Sequence, residues 1–146
     1  MKICKIHIQL ILTLLTFILF SSISNAIEIN TDKTNLDFNN VRRDGYSSST
    51  LTFTTGSEHD IILSYFITGD VKNFIRISSN KELSFNRASQ LTLNIEVIPD
   101  KSVSNGFHSG NLIFSFQPTN KNQISSELNS LSIPYKVEIT DKIIRQ

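Results

Sequence analysis

Glu58-His59-Asp60 is the densest run of side chains able to ligate a metal or move protons. Consecutive residues on a strand point to opposite faces, so these three could converge on one ion only within a bent loop. Gly56-Ser57, immediately before them, permits that bend. A solvated turn tip has the same composition, however, and no second ligand cluster follows. The next candidate is Asp100-Lys101-Ser102-Val103-Ser104-Asn105-Gly106, with oxygen side chains at the first, third and fifth positions, as at the front of a calcium loop. Its glycine comes one residue late for that pattern and no glutamate closes it, so it reads as a loop joining two strands.

The remaining inventory is bare. Beyond residue 26 the histidines are His59 and His108, and the sole cysteine is Cys4. No Gly-x-Ser-x-Gly elbow, His-Glu-x-x-His helix or phosphate-cradling glycine loop occurs. A two-carboxylate hydrolase would need acids gathered across a sheet, and Glu96 and Glu138 read instead as solvated strand positions. The sequence therefore predicts no catalytic residues, no cofactor-binding residues and no metal ligands, and a protein that is not an enzyme.

The first 26 residues carry a different message. Lys2, Lys5 and His7 form a basic head, a mainly apolar run spans Leu10 to Phe20, and Ser24-x-Ala26 places small residues where a signal peptidase cuts. The run is too short for a spanning helix of about 20 residues, so cleavage after Ala26 is expected, with membrane contact limited to export. With no cysteine at the new terminus, a lipid anchor is not expected. The expectation is a signal peptide over 1–26 and one domain over 27–146, working in the periplasm, at the cell surface or outside the cell.

That domain would carry 12 basic against 13 acidic residues, and its densest basic spot, Arg42-Arg43, is followed at once by Asp44. Nucleic-acid binders advertise a basic face, so nucleic acid is not an expected partner. No amphipathic basic helix is visible for membrane-surface binding. Without cysteine beyond Cys4 and without tryptophan, the domain cannot have the Cys-Trp-Cys core of antibody-type domains and must stand on packing and hydrogen bonding.

The elements that would position any site are strands. Glycine-containing turn dipeptides (Asp44-Gly45, Gly56-Ser57, Gly69-Asp70, Asn105-Gly106, Gly110-Asn111) punctuate short runs rich in β-branched and aromatic residues. The expected strands are Ile27–Asn30, Leu36–Val41, Ser49–Thr54, Asp60–Ile67, Phe74–Ser79, Leu91–Ile98, Asn111–Phe116 and Leu131–Thr140. Several alternate cleanly, as in Leu91, Leu93, Ile95 and Val97, which marks one buried and one wet face. Ile61 to Ile67 is apolar nearly throughout, suiting a central strand covered on both faces, or a strand that meets a partner. Pro134 cannot donate to a ladder, so the last strand is expected at an edge or with a bulge. The polar stretch Gln117 to Ser130 is expected to be an exposed hairpin loop.

From Pro99 through Gly106-Phe107-His108-Ser109-Gly110 to the alternating Leu112, Phe114 and Phe116, the chain resembles secreted prokaryotic immunoglobulin-like domains. Leu36-Asp-Phe-Asn-Asn-Val41, the Ser49 strand and Leu83-Ser-Phe85 occupy the expected earlier positions. The resemblance implies an all-β, immunoglobulin-like sandwich of seven or eight antiparallel strands, of the surface-associated, pilus-associated or PapD-like kind. It implies a structural or adhesive component of the cell envelope, such as a pilus-like subunit, with a protein as partner. Self-assembly by strand addition would use Ile27-Glu28-Ile29 as donor and Asn30 to Asn35 as tether. The alternative is a binding or chaperone-like module that captures a protein through its loops, with Gln117 to Ser130 as the candidate loop.

Overall fold

A computed structural model describes residues 27–79, 82–119 and 129–141. The expected signal peptide over 1–26 and the middle of the Gln117 to Ser130 loop lie outside the described residues. The elements are β1 (Ile29–Thr31), β2 (Leu36–Val41), β3 (Ser47–Thr55), β4 (Ile61–Ile67), a 3-10 turn (Lys72–Phe74), β5 (Ile75–Ser79), β6 (Ser84–Phe85), β7 (Leu91–Val97), β8 (Gly106–Pro118) and β9 (Asn129–Ile139).

These strands form two sheets, ordered β1-β3-β7-β5 and β2-β9-β8-β4-β6. The core lies between them, and alternation builds it. Leu51 and Phe53 of β3 and Leu91, Leu93, Ile95 and Val97 of β7 turn inward to meet Leu112, Phe114 and Phe116 of β8 and Ile133, Tyr135, Val137 and Ile139 of β9. Phe53 stands edge-on to Phe114 and Phe116, with ring centroids 5.0 and 5.4 Å apart, and Phe85 closes the cluster 6.3 Å from Phe116. Each such ring contributes about 1.5–3 kcal/mol by leaving water.

The strands are not all antiparallel, contrary to the expectation. After β1 pairs with β3 in the first sheet, the chain crosses over, and β2 runs parallel to β9 in the second. Parallel and antiparallel pairs differ in hydrogen-bond spacing but not in side-chain alternation, so sequence pattern cannot separate them. Asn40, at φ 54°, takes up the register shift between Phe38 and Val41, and its amide donates to the Glu138 carboxylate at 3.3 Å. Asparagine is one of the few side chains that enters this left-handed region readily.

Two strand placements also differ from expectation. β9 is an interior strand, between β2 and β8, although it contains Pro134. Asn111, opposite Pro134, directs both backbone groups to Thr68 rather than to β9, and pairing with β2 begins only at Tyr135. The missing proline N–H therefore lies on the side away from β8 and ahead of the β2 ladder, so no ladder bond is lost. β4, expected either to be covered on both faces or to meet a partner, is not covered: its outer face is open, and its neighbour β6 pairs only with Ile61 and Ile62 in register.

Candidate interaction surface

The chemistry-bearing clusters are used up in turns. The β3–β4 loop is held against the β6–β7 turn, where the Arg87 amide donates to the Ser57 carbonyl at 2.6 Å. Glu58 pairs with Arg87, Asp60 accepts from Asn86 Nδ2 at 2.7 Å, and the His59 amide donates to Ser57 Oγ at 3.2 Å. Among the described residues, no group of three His, Cys, Asp or Glu side chains could hold a metal ion.

The β7–β8 loop behaves in the same way. The Asp100 carboxylate accepts from the Ser102 hydroxyl and amide, which holds its pKa below the ordinary carboxylate value. Lys101 lies 3.4 Å from Asp44. Glu96 accepts from Asn94 Nδ2 and from the Tyr46 hydroxyl. A shallow cleft of about 370 Å³ lies beside it, lined by Ser78, Ser79, Thr92 and Asn94.

One polar cluster is not legible in the sequence. His108 of β8 stands on the inward side near one end of the sandwich, where its Nε2–H donates to the Ser104 carbonyl at 2.9 Å. Its Nδ1 lies 3.5 Å from the Asp70 carboxylate, without the alignment of a hydrogen bond. Nearby, the Tyr135 hydroxyl donates to the Thr68 carbonyl at 2.7 Å. Burial, and then the Asp70 charge, push the pKa of the Tyr135 phenol above its usual value. These residues lie far apart in sequence and meet only because β4, β8 and β9 are adjacent. The one local signal was Gly69 and Gly110, where a Cβ would come within 2.5 Å of the Tyr135 hydroxyl oxygen.

The unusual surface is β4. Leu63 donates its amide to Leu83 at 2.8 Å on the outer side, whereas Thr68 donates to Asn111 of β8 at 2.9 Å. Backbone direction alternates along an antiparallel strand, so the N–H and C=O groups of Tyr65 and Ile67 point away from β8. Among the described residues, no strand pairs with that side past Ile62, and Ser64 to Ile67 form an open edge there. The side chains there are apolar and exposed: Ile62 at 47%, Tyr65 at 40% and Phe66 at 63% of full accessibility. Ile113 sits opposite Phe66 on β8 and extends the patch. Edge strands are commonly protected by lysine, proline or a bulge, and no charged residue or proline occurs from Ile61 to Gly69.

The segment expected to be a strand donor is engaged within its own chain. Ile29 pairs with Thr55, the Thr55 hydroxyl donates to the Glu28 carbonyl at 2.8 Å, and Asn129 Nδ2 donates to the Ile27 carbonyl at 2.7 Å.

No protein-family model matches this chain, and no curated protein sequence does. Solved structures do resemble it. The ASH / PapD-like domain 7 of human CEP192 aligns with a TM-score of 0.58 at 12% identity, over 84% of this chain and 98% of that one. A family 123 glycoside hydrolase from Clostridium perfringens aligns with a TM-score of 0.54 at 11% identity, over 83% of this chain. The chain spans only 28% of that enzyme's length. WR4, an MSP family member of C. elegans, aligns with a TM-score of 0.48 at 9% identity, over 75% of this chain and 96% of that one. At such identities the likeness is one of fold. The chain is an all-β, two-sheet sandwich whose fold is similar to that of a PapD-like domain.

Proposed function

We propose that this protein is a non-enzymatic structural or adhesive component of the cell envelope, exported by its first 26 residues, that works by protein contact through the second sheet. The observation that carries the reading is the β4 edge, where no strand among the described residues pairs with the backbone beside exposed Tyr65 and Phe66. An apolar patch beside an open edge is the arrangement to which an extended segment of another protein adds as a strand. Two further points support it: the acids singled out in the sequence are spent on turns, and the PapD-like likeness extends over nearly the whole of that domain.

Expression with a C-terminal tag in a bacterial host tests the reading by fractionation and chemical crosslinking. The expected product is a chain shortened at Ala26 in the envelope fraction, crosslinked to other proteins there, with the crosslinks reduced by Phe66→Lys. Full-length chain confined to the cytosol, or crosslinks indifferent to Phe66→Lys, would overturn it.

A further inference from the structure

We propose that β4 pairs antiparallel with β4 of a second copy of this chain about a twofold axis at Phe66, so that one contact closes two open edges. This names a partner for the edge on which the proposed function rests, but it does not require export. Antiparallel pairing sets a residue whose backbone points outward opposite another such residue, so the twofold registers available to this edge centre on Tyr65, Phe66 or Ile67. Centring on Ile67 would set Tyr65 opposite the partner's Gly69, which lies past the end of the strand at φ 108°, and leave a single Ile67 pair. Centring on Tyr65 would set the partner's Ile67 against Leu63, whose amide is already bound to the Leu83 carbonyl. Centring on Phe66 sets Tyr65 opposite the partner's Ile67, and the two such pairs form four backbone hydrogen bonds.

The turn after β4 makes room for this register. Gly69 of one copy would come level with Leu63 of the other, where Leu83 occupies the edge. The strand ends at Ile67, Gly69 adopts φ 108°, and Lys72 donates back to the Gly69 carbonyl at 3.4 Å, so the chain has left the sheet direction before it could collide. The open stretch on one copy thus accepts the stretch that the other presents. Phe66, 63% exposed, then faces the partner's Phe66 as a non-hydrogen-bonded pair, the closer of the two pair types.

Charge agrees with a self-pair. With no charged residue from Ile61 to Gly69, two copies bring no like charges together on the paired strands. The contact joins two five-stranded sheets into one continuous sheet. Four bonds and two aromatic rings make a small interface, below roughly 1,200 Å², so the dimer is concentration-dependent.

Cysteine crosslinking and sedimentation equilibrium decide the matter, using the chain as producing cells process it, with Cys4→Ser removing any other thiol. Phe66→Cys is expected to oxidise to a disulfide-linked dimer. Ser64→Cys should stay monomeric, because its counterpart lies about 13 Å away along the strands. Phe66→Lys should raise the dimer dissociation constant at least tenfold while far-UV circular dichroism and the thermal midpoint of the monomer stay unchanged. Crosslinking at residue 64 but not 66, or a monomer at every concentration with no crosslink at 66, overturns the pairing. Because these readouts use purified chain, a failed dimer with Phe66-dependent envelope crosslinks retained would overturn this pairing alone and leave the proposed function standing.

Discussion

The hydroxyl of Tyr135 donates a 2.7 Å hydrogen bond to the backbone carbonyl of Thr68, reaching from β9 beneath β8 to the end of β4. It satisfies a carbonyl just where β4 leaves the sheet, and thereby ties the end of the open edge to the core. Tyr135→Phe keeps the ring and leaves that carbonyl without its partner. The expected loss is about 1–2 kcal/mol, read from urea unfolding, with the native β-sheet spectrum retained.

The same contact makes alkaline stability a readout. Burial and the Asp70 charge raise the Tyr135 phenol in the folded chain, so the folded state holds the proton more tightly than the unfolded one. The stabilisation is complete below the unfolded value and is lost as pH rises through the higher folded value. The urea midpoint of the native chain should fall above about pH 10, and that of Tyr135→Phe should fall less.

Gly110 is required by its neighbours. A Cβ there would strike the Thr68 carbonyl oxygen and stand 2.5 Å from the Tyr135 hydroxyl oxygen. Gly110→Ala should destabilise by about 2–3 kcal/mol as β4 and β9 are forced apart. In Gly110→Ala/Tyr135→Phe the two losses should be less than additive, because both act on one contact. Thermal unfolding of the four proteins closes the cycle.

Phenylalanine at two positions should behave in opposite ways. Phe53 is fully buried and meets two other rings, so Phe53→Ala should cost about 3–5 kcal/mol. Phe66 projects from the outer face, and Phe66→Ala should change the stability of dilute chain by less than about 0.5 kcal/mol. Equilibrium unfolding at low protein concentration makes the comparison.

Much of the fold was legible because burial between two sheets imposes a period of two. Leu91, Leu93, Ile95 and Val97 show it, and all four are buried on β7. Leu36–Val41 is a strand with the expected bounds. β8 begins at Gly106 rather than Asn111, because Gly106-Phe-His-Ser-Gly110 has the composition of turns. Its second glycine serves close approach to Tyr135 and does not reverse the chain. The apolar character of β4 was legible as well. Its neighbours were not, and they alone distinguish a covered strand from an exposed edge.

The sequence by itself determined an all-β chain, the strands that alternate, and the absence of standard catalytic signatures, since these depend on residue type and local spacing. Tertiary structure decided what depends on which strands become neighbours. It set β2 parallel to β9, admitted Pro134 to an interior strand, gathered Asp70, His108 and Tyr135, and left β4 open. A side-chain period records which face is buried, but not which strand lies alongside. The β4 edge is therefore visible only once both sheets are assembled.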